Sequence, residues 1–161
     1  MKLYLVEHGA AFPKEEDPDR PLSDEGRRDI QRVASFVARA ATRVARVIHS
    51  GKRRALETAV ILASVVGAGK IVEEMVSGLG PNDTTDQFFA AAATWAEDAE
   101  SGDIMVVGHQ PFVGRMASRL LVDSGNIADI GFQPGTVVCV ESAEDGRWAL
   151  AWMAGPVLLG F

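Results

Sequence analysis

Apolar runs of strand length alternate with stretches of helical period through the first two thirds of the chain. KLYLVEH, residues 2–8, predicts a strand that stops at Glu7, His8 and Gly9. Ser23 opens SDEG, an N-cap candidate with acids in the first turn, and Ile30, Val33, Val37 and Ala41 follow at helical spacing. VARVIHS, residues 44–50, predicts the next strand. Ala55, Ala59, Leu62 and Val66 then share one face of a helix from Lys52 to Val66, which Gly67 to Gly69 should stop. IVEEM reads as a short strand and residues 78–83 as a loop, after which Thr84 or Thr85 is placed to cap a helix through Phe88, Ala92, Trp95 and Ala99. DIMVVGH, bounded by Gly102 and Gly108, predicts a further strand, with a helix from Pro111 or Phe112 to about Val122. TVVCVES, the Asp145-Gly146 turn and WALAWMA complete the pattern as a hairpin.

Strand and helix in alternation is the signature of parallel crossovers. The expected architecture is therefore a three-layer α/β/α sandwich, its sheet mostly parallel with the antiparallel C-terminal hairpin at one edge. No repeat or low-complexity linker divides the 161 residues, and 47% hydrophobic content suffices for one core, so residues 1–161 read as a single domain. The one cysteine, Cys139, lies in VVCVE as a half-buried strand position and suits a reducing compartment. Leu3 to Val6 is too short for a signal-peptide core, and no window offers a bilayer span, so the expectation is a soluble, cytoplasmic protein. A formal charge of −6 argues against a general nucleic-acid binder. Any cationic site must then be local, and the dense basic cluster is Lys52, Arg53 and Arg54.

The chain has three histidines, and each falls at the C-terminal end of a predicted strand: His8, His49 and His109. In an open α/β sheet that rim gathers ligands, because loops from several strands meet there beside helix N-termini. Lys52 to Arg54 start a helix directly after a strand, where free N–H groups and the helix dipole already favour an anion. Cations there oppose the dipole, so a bound anion would account for them, although at least one of the three should simply be solvated. Two histidines and an arginine at a phosphate-sized site suggest phosphoryl transfer, one imidazole attacking phosphorus while the other groups neutralise the equatorial oxygens. Neither metal nor cofactor is called for. Glu7, His8, His49 and His109 could be imagined around a metal, but adjacent strand residues point to opposite faces, which makes Glu7 and His8 poor joint ligands. His49 reads as a hydrogen-bonding strand end rather than a third catalytic histidine.

LVEHG at 5–9, RPLSDEG at 20–26, HSGKRRALETA at 49–59 and VVGHQP at 106–111 together resemble the histidine phosphatase superfamily, or phosphoglycerate-mutase-like fold. Small size and the lack of a cap insertion make the chain most similar to the SixA-like phosphohistidine phosphatases, which act in signal transduction. The resemblance implies that His8 is the nucleophile, that Gly9 gives the chain room to turn beside the phosphate, that Arg54 is the helix-borne phosphate ligand and that His109 is the second histidine of the pocket. Arg20 matches an arginine of that group, with a structural or rim contact as open as a phosphate contact. The implied substrate is a phosphorylated protein or a small phosphorylated molecule, without metal or membrane.

Glu7 departs from the family pattern, which has arginine immediately before the nucleophile. The swap changes two charges beside a dianionic ligand. Three accommodations are physical: Lys52 or Arg53 takes the cationic place, Glu7 turns away to pair with one of them, or a raised carboxyl pKa leaves Glu7 neutral and able to donate. Compensation by Lys52 is the expectation. A general acid is also missing from any clear motif, Glu74 and Asp83 being the candidates. A phosphohistidine departs as neutral imidazole and needs little such help, which favours phosphoramidates. The competing readings are a phospho-ligand-binding homologue made weak or inactive by Glu7, and a phosphosugar or phosphoglycerate mutase, for which recognition segments are lacking.

Overall fold

An unbroken apolar run along the first strand sets the architecture. In the computed structural model, which describes residues 1–40, 42–66, 72–122 and 130–160, β1 (Lys2–Glu7) buries Leu3 and Leu5 as well as Tyr4 and Val6. A strand apolar on both faces needs cover on both. Around it, β2 (Arg46–His49), β3 (Val72–Glu74), β4 (Ile104–Gly108), β5 (Val137–Ser142) and β6 (Trp148–Ala154) complete one six-stranded sheet in the order β3-β2-β4-β1-β5-β6. The pairs β2/β3, β2/β4 and β1/β4 are parallel, whereas β5 runs antiparallel to both β1 and β6. The mostly parallel sheet with its edge hairpin is thus as the sequence pattern requires.

Helices cover both faces. On one, α1 (Asp24–Arg39) and α2 (Arg53–Val66) set Ile30, Val33, Ala59 and Leu62 against Tyr4, Val6, Met105 and Cys139. On the other, α3 (Asp86–Glu97) and α4 (Phe112–Leu121) set Phe88, Phe112 and Met116 against Leu3, Leu5, Val106 and Val138. Ser23 caps α1, its hydroxyl accepting the Gly26 N–H at 3.0 Å, with Asp24 and Glu25 in the first turn. Trp152 anchors the hairpin through Tyr4 and Phe36, with ring centroids 5.9 and 5.7 Å away.

Some local expectations are corrected. Thr85 stands at the N-cap of α3 but makes no capping hydrogen bond; its hydroxyl accepts from Arg119 at 2.8 Å instead, and the helix ends before Ala99. A final short helix, α5 (Pro156–Leu159), has too few residues to announce itself by period. The proposed stop at Gly67 to Gly69, and Ala41 of the first helical face, lie outside the described residues.

What the fold does for function is gather strand ends. Glu7 pairs in register with Gly108, and His49 with Val107, so the chain leaves β1, β2 and β4 side by side at one rim. No described helix is long and apolar enough to cross a membrane.

Candidate active site

His8 follows the last residue of β1 and is held at both ring nitrogens. Nδ1 lies 2.7 Å from the Gly9 carbonyl, which can only accept, so Nδ1 carries the proton. Nε2 lies 3.1 Å from Arg54 Nε–H, which can only donate, so Nε2 presents a lone pair. The two contacts together fix a neutral imidazole in one tautomer. Burial pushes its pKa down to about 4, with Arg54 and Arg20 acting in the same direction and the Gly9 carbonyl opposing them.

His109 follows β4 and is 2% exposed. Its ring stands edge-on to that of His8, with centroids 5.0 Å apart. Ser50, just past β2, meets His109 Nε2 in a short hydrogen bond, while Nδ1 is buried without a partner among the described residues. Burial, followed by the neighbouring His8, Arg54, Lys52 and Arg20, pushes its pKa down to about 3.

Arg54 comes from the first turn of α2, where no acid offsets it. Burial and the neighbouring Arg20 lower its pKa, with Glu7 opposing. One turn on, the buried Thr58 donates to the Arg54 carbonyl at 2.8 Å and accepts the Gly9 N–H at 3.1 Å, tying the helix start to the residue after the nucleophile. Arg20 has φ +48, a left-handed conformation unusual for a residue with a long side chain. Its Nε–H bonds the Phe12 carbonyl at 3.1 Å, and its charge bears on His8, His109 and Arg54 alike. Arg53 faces solvent and pairs with Glu57 at 3.1 Å and Asp19 at 3.8 Å.

Glu7 is 6% exposed, and its Oε1 lies 3.4 Å from His8 Nε2. The expectation that adjacent strand residues diverge fails here: the two side chains meet at the end of β1, although the His8 N–H still donates to the Gly108 carbonyl at 3.1 Å. Oε2 is buried with no partner among the described residues. Burial raises the carboxyl pKa to about 7, against the Gln110 backbone N–H and Arg54. Lys52 is exposed, and its side chain meets no described partner, Glu7 included; it acts on the pocket through its effect on His109.

The remaining candidates fall elsewhere. Asp83 accepts the Gly78 and Gly80 N–H groups at 3.0 and 2.8 Å, which makes it the organiser of its own loop. Glu74 ends β3 opposite His49, away from the histidine pair. His49 accepts the Gly51 N–H at Nδ1, 3.1 Å away, while burial lowers its pKa and Glu74 opposes the shift. A Cβ at Gly9 would meet Ile30 Cγ1 at 2.7 Å and Leu22 Cδ2 at 3.0 Å, so packing against α1 and the segment before it already requires glycine here. Ser50, Thr58 and the Gln110 N–H were not marked as site groups by the motifs. Ser50 could have been found from its place directly after a rim histidine. Among the described residues, no three His, Cys, Asp or Glu side chains gather as a metal would need.

Residues 3–77 match the family model for the histidine phosphatase superfamily, branch 1. An uncharacterised protein of Picosynechococcus sp. is 32% identical over 124 residues, 74% of this chain and 73% of its own length. Among solved structures, the protein histidine phosphatase SixA complexed with tungstate superposes with a TM-score of 0.86 at 21% identity, covering 99% of each chain. A protein assigned as the phosphohistidine phosphatase SixA of Agrobacterium tumefaciens gives a TM-score of 0.76 at 20% identity, over 96% of this chain and 97% of that one. The chain belongs to the histidine phosphatase superfamily, and its fold is SixA-like.

Proposed function

We propose that this protein is a phosphatase of phosphohistidine or a similar phosphoramidate, carried on a cytoplasmic protein or a small molecule, with His8 as the nucleophile. The observation that carries the reading is the fixed tautomer of His8, in which the Gly9 carbonyl and Arg54 leave Nε2 with a lone pair. A neutral imidazole held this way is ready to attack, and its low pKa keeps it so through the neutral range. Family membership and the SixA-like fold support the assignment, as does the tungstate of the SixA structure, a tetrahedral oxyanion of phosphate's shape.

In the proposed reaction Nε2 forms a bond to phosphorus as the P–N bond of the substrate breaks. The leaving imidazole, protonated at its other nitrogen, departs neutral. Water then attacks phosphorus from the vacated side, the P–Nε2 bond breaks with its electron pair returning to Nε2, and both hydrogens of the water leave with inorganic phosphate as dihydrogen phosphate. Arg54 and Arg20 neutralise the equatorial oxygens, and the neutral His109, held in place by Ser50, is a hydrogen-bonding neighbour of the phosphoryl group.

Incubation with a phosphohistidine protein or phosphoramidate, with rapid acid-free quenching, tests the reading. His8→Ala should lose turnover by at least about a thousandfold while retaining the wild-type circular dichroism spectrum. Release of phosphate by that variant at the parental rate would remove His8 from the mechanism.

A further inference from the structure

Two side chains, Arg54 and Glu7, converge beside Nε2 of His8. Arg54 donates to it, Glu7 Oε1 stands 3.4 Å from it, and Glu7 Oε2 is buried without a partner among the described residues. A carboxylate oxygen facing an imidazole lone pair sets two acceptors against each other with nothing between them. A protonated carboxyl removes the conflict, since its O–H supplies the missing donor. Phosphorus bonded to Nε2 would carry its oxygens into this same space, within reach of the Glu7 carboxyl. An ionised Glu7 would then repel the ligand in a buried site, where the interaction is poorly screened.

We infer that Glu7 binds the phosphoryl oxyanion in its acid form, donating a hydrogen bond to a phosphoryl oxygen, so that anion binding and proton uptake are one event. The inference rests on the phosphoryl-site reading of His8 and deepens it. Glu7 then serves as a neutral ligand where the family pattern has a cation, and the positive charge comes from Arg54 and Arg20. Beside it stand His8 on the same strand end and Arg54 on α2, which bears on it directly; His109 after β4, Lys52 just before α2 and Arg20 in the loop before α1 are coupled to it through the histidines. Both histidines are already neutral well below pH 6, which leaves Glu7 to take up a proton near neutrality.

Tungstate is the suitable probe, because unlike phosphate it keeps one charge state across the neutral and alkaline range. Calorimetric titration of the full chain, in buffers of differing ionisation enthalpy between about pH 6.5 and pH 9, reads affinity and proton uptake together. The expected result is an affinity that falls by about tenfold per pH unit above Glu7's pKa, with uptake approaching one proton per anion. Glu7→Gln, which keeps a neutral donor, should bind with affinity within about threefold of the parent at the acidic end and show neither slope nor uptake.

A flat affinity without proton uptake in the wild type overturns the inference, whether or not the variant folds. A slope that survives in Glu7→Gln overturns it as well, since the proton then sits elsewhere. The outcome is separable from that of the parent reading. Proton-linked tungstate binding without turnover of any phosphoramidate would sink the phosphatase assignment and keep Glu7's role, and turnover without linkage would do the reverse.

Discussion

Arg53 and Arg54 are neighbours at the start of α2, identical in chemistry and opposite in fate. Arg53 reaches out to Glu57, one turn along, and to Asp19. Arg54 reaches inward to His8, and its own next turn brings Thr58, which binds its carbonyl and the Gly9 N–H. One step of about 100° around the helix separates a solvated surface pair from a ligand of the nucleophile. The carboxyl groups repeat the lesson. Asp83 accepts two backbone N–H groups and organises a loop, whereas Glu7 has a buried oxygen with no described partner. Residue type offers a possible role, and the face on which it stands decides.

The comparison breaks most sharply at the arginines. Arg54→Ala should lower kcat/KM for a phosphoramidate by about a hundredfold to ten-thousandfold, whereas Arg53→Ala stays within about threefold; equal losses would dissolve the distinction. Arg54→Lys should recover only part of the rate, because a point charge cannot both hold Nε2 and fork onto phosphoryl oxygens. A smaller loss, about tenfold in kcat/KM, is expected for Ser50→Ala, which frees His109 Nε2, and steady-state kinetics with the thermal midpoint as a folding control will measure it.

The least costly test concerns stability. Glu7 has a native pKa of about 7, above its ordinary value of 4.5. The native state therefore holds a proton that the unfolded chain has released, and the stabilisation present at low pH is lost as pH rises through about 7. Denaturant titrations between about pH 5 and pH 8 should show the stability of the wild type relative to Glu7→Gln falling by roughly 2–3 kcal/mol, a difference in which the pH dependence of the buried histidines, common to both proteins, cancels. Parallel curves for the two proteins would mean that the buried carboxyl is already ionised in the folded state at neutral pH.

Much of the fold could be read from the apolar pattern, because the unbroken apolar run of β1 and the 3.6-residue period of α1 and α2 report burial directly. The rim position of His8 and His109 was legible for the same reason, as a strand's end is visible where its apolar run stops. Convergence of Glu7 with His8 was not legible. The apolar run reports where a strand stops, not how the side chains at its last positions turn. Lys52 illustrates the converse: its position in the chain put it at the rim, but nothing local could show that its side chain would stay outside while Glu7 remained buried. Thr85 looked like a cap because threonine commonly is one, and a distant arginine, Arg119, claimed its hydroxyl.

Gly9 joins the nucleophile to the first helix layer, for its Cα lies against Ile30, Leu22 and the carbonyl of Gly26. The seating of α1 on the sheet is thereby transmitted to the peptide that adjoins His8. Repacking at Ile30, deep in the interior and remote from solvent, would then register as an altered rate before it registered as a loss of structure.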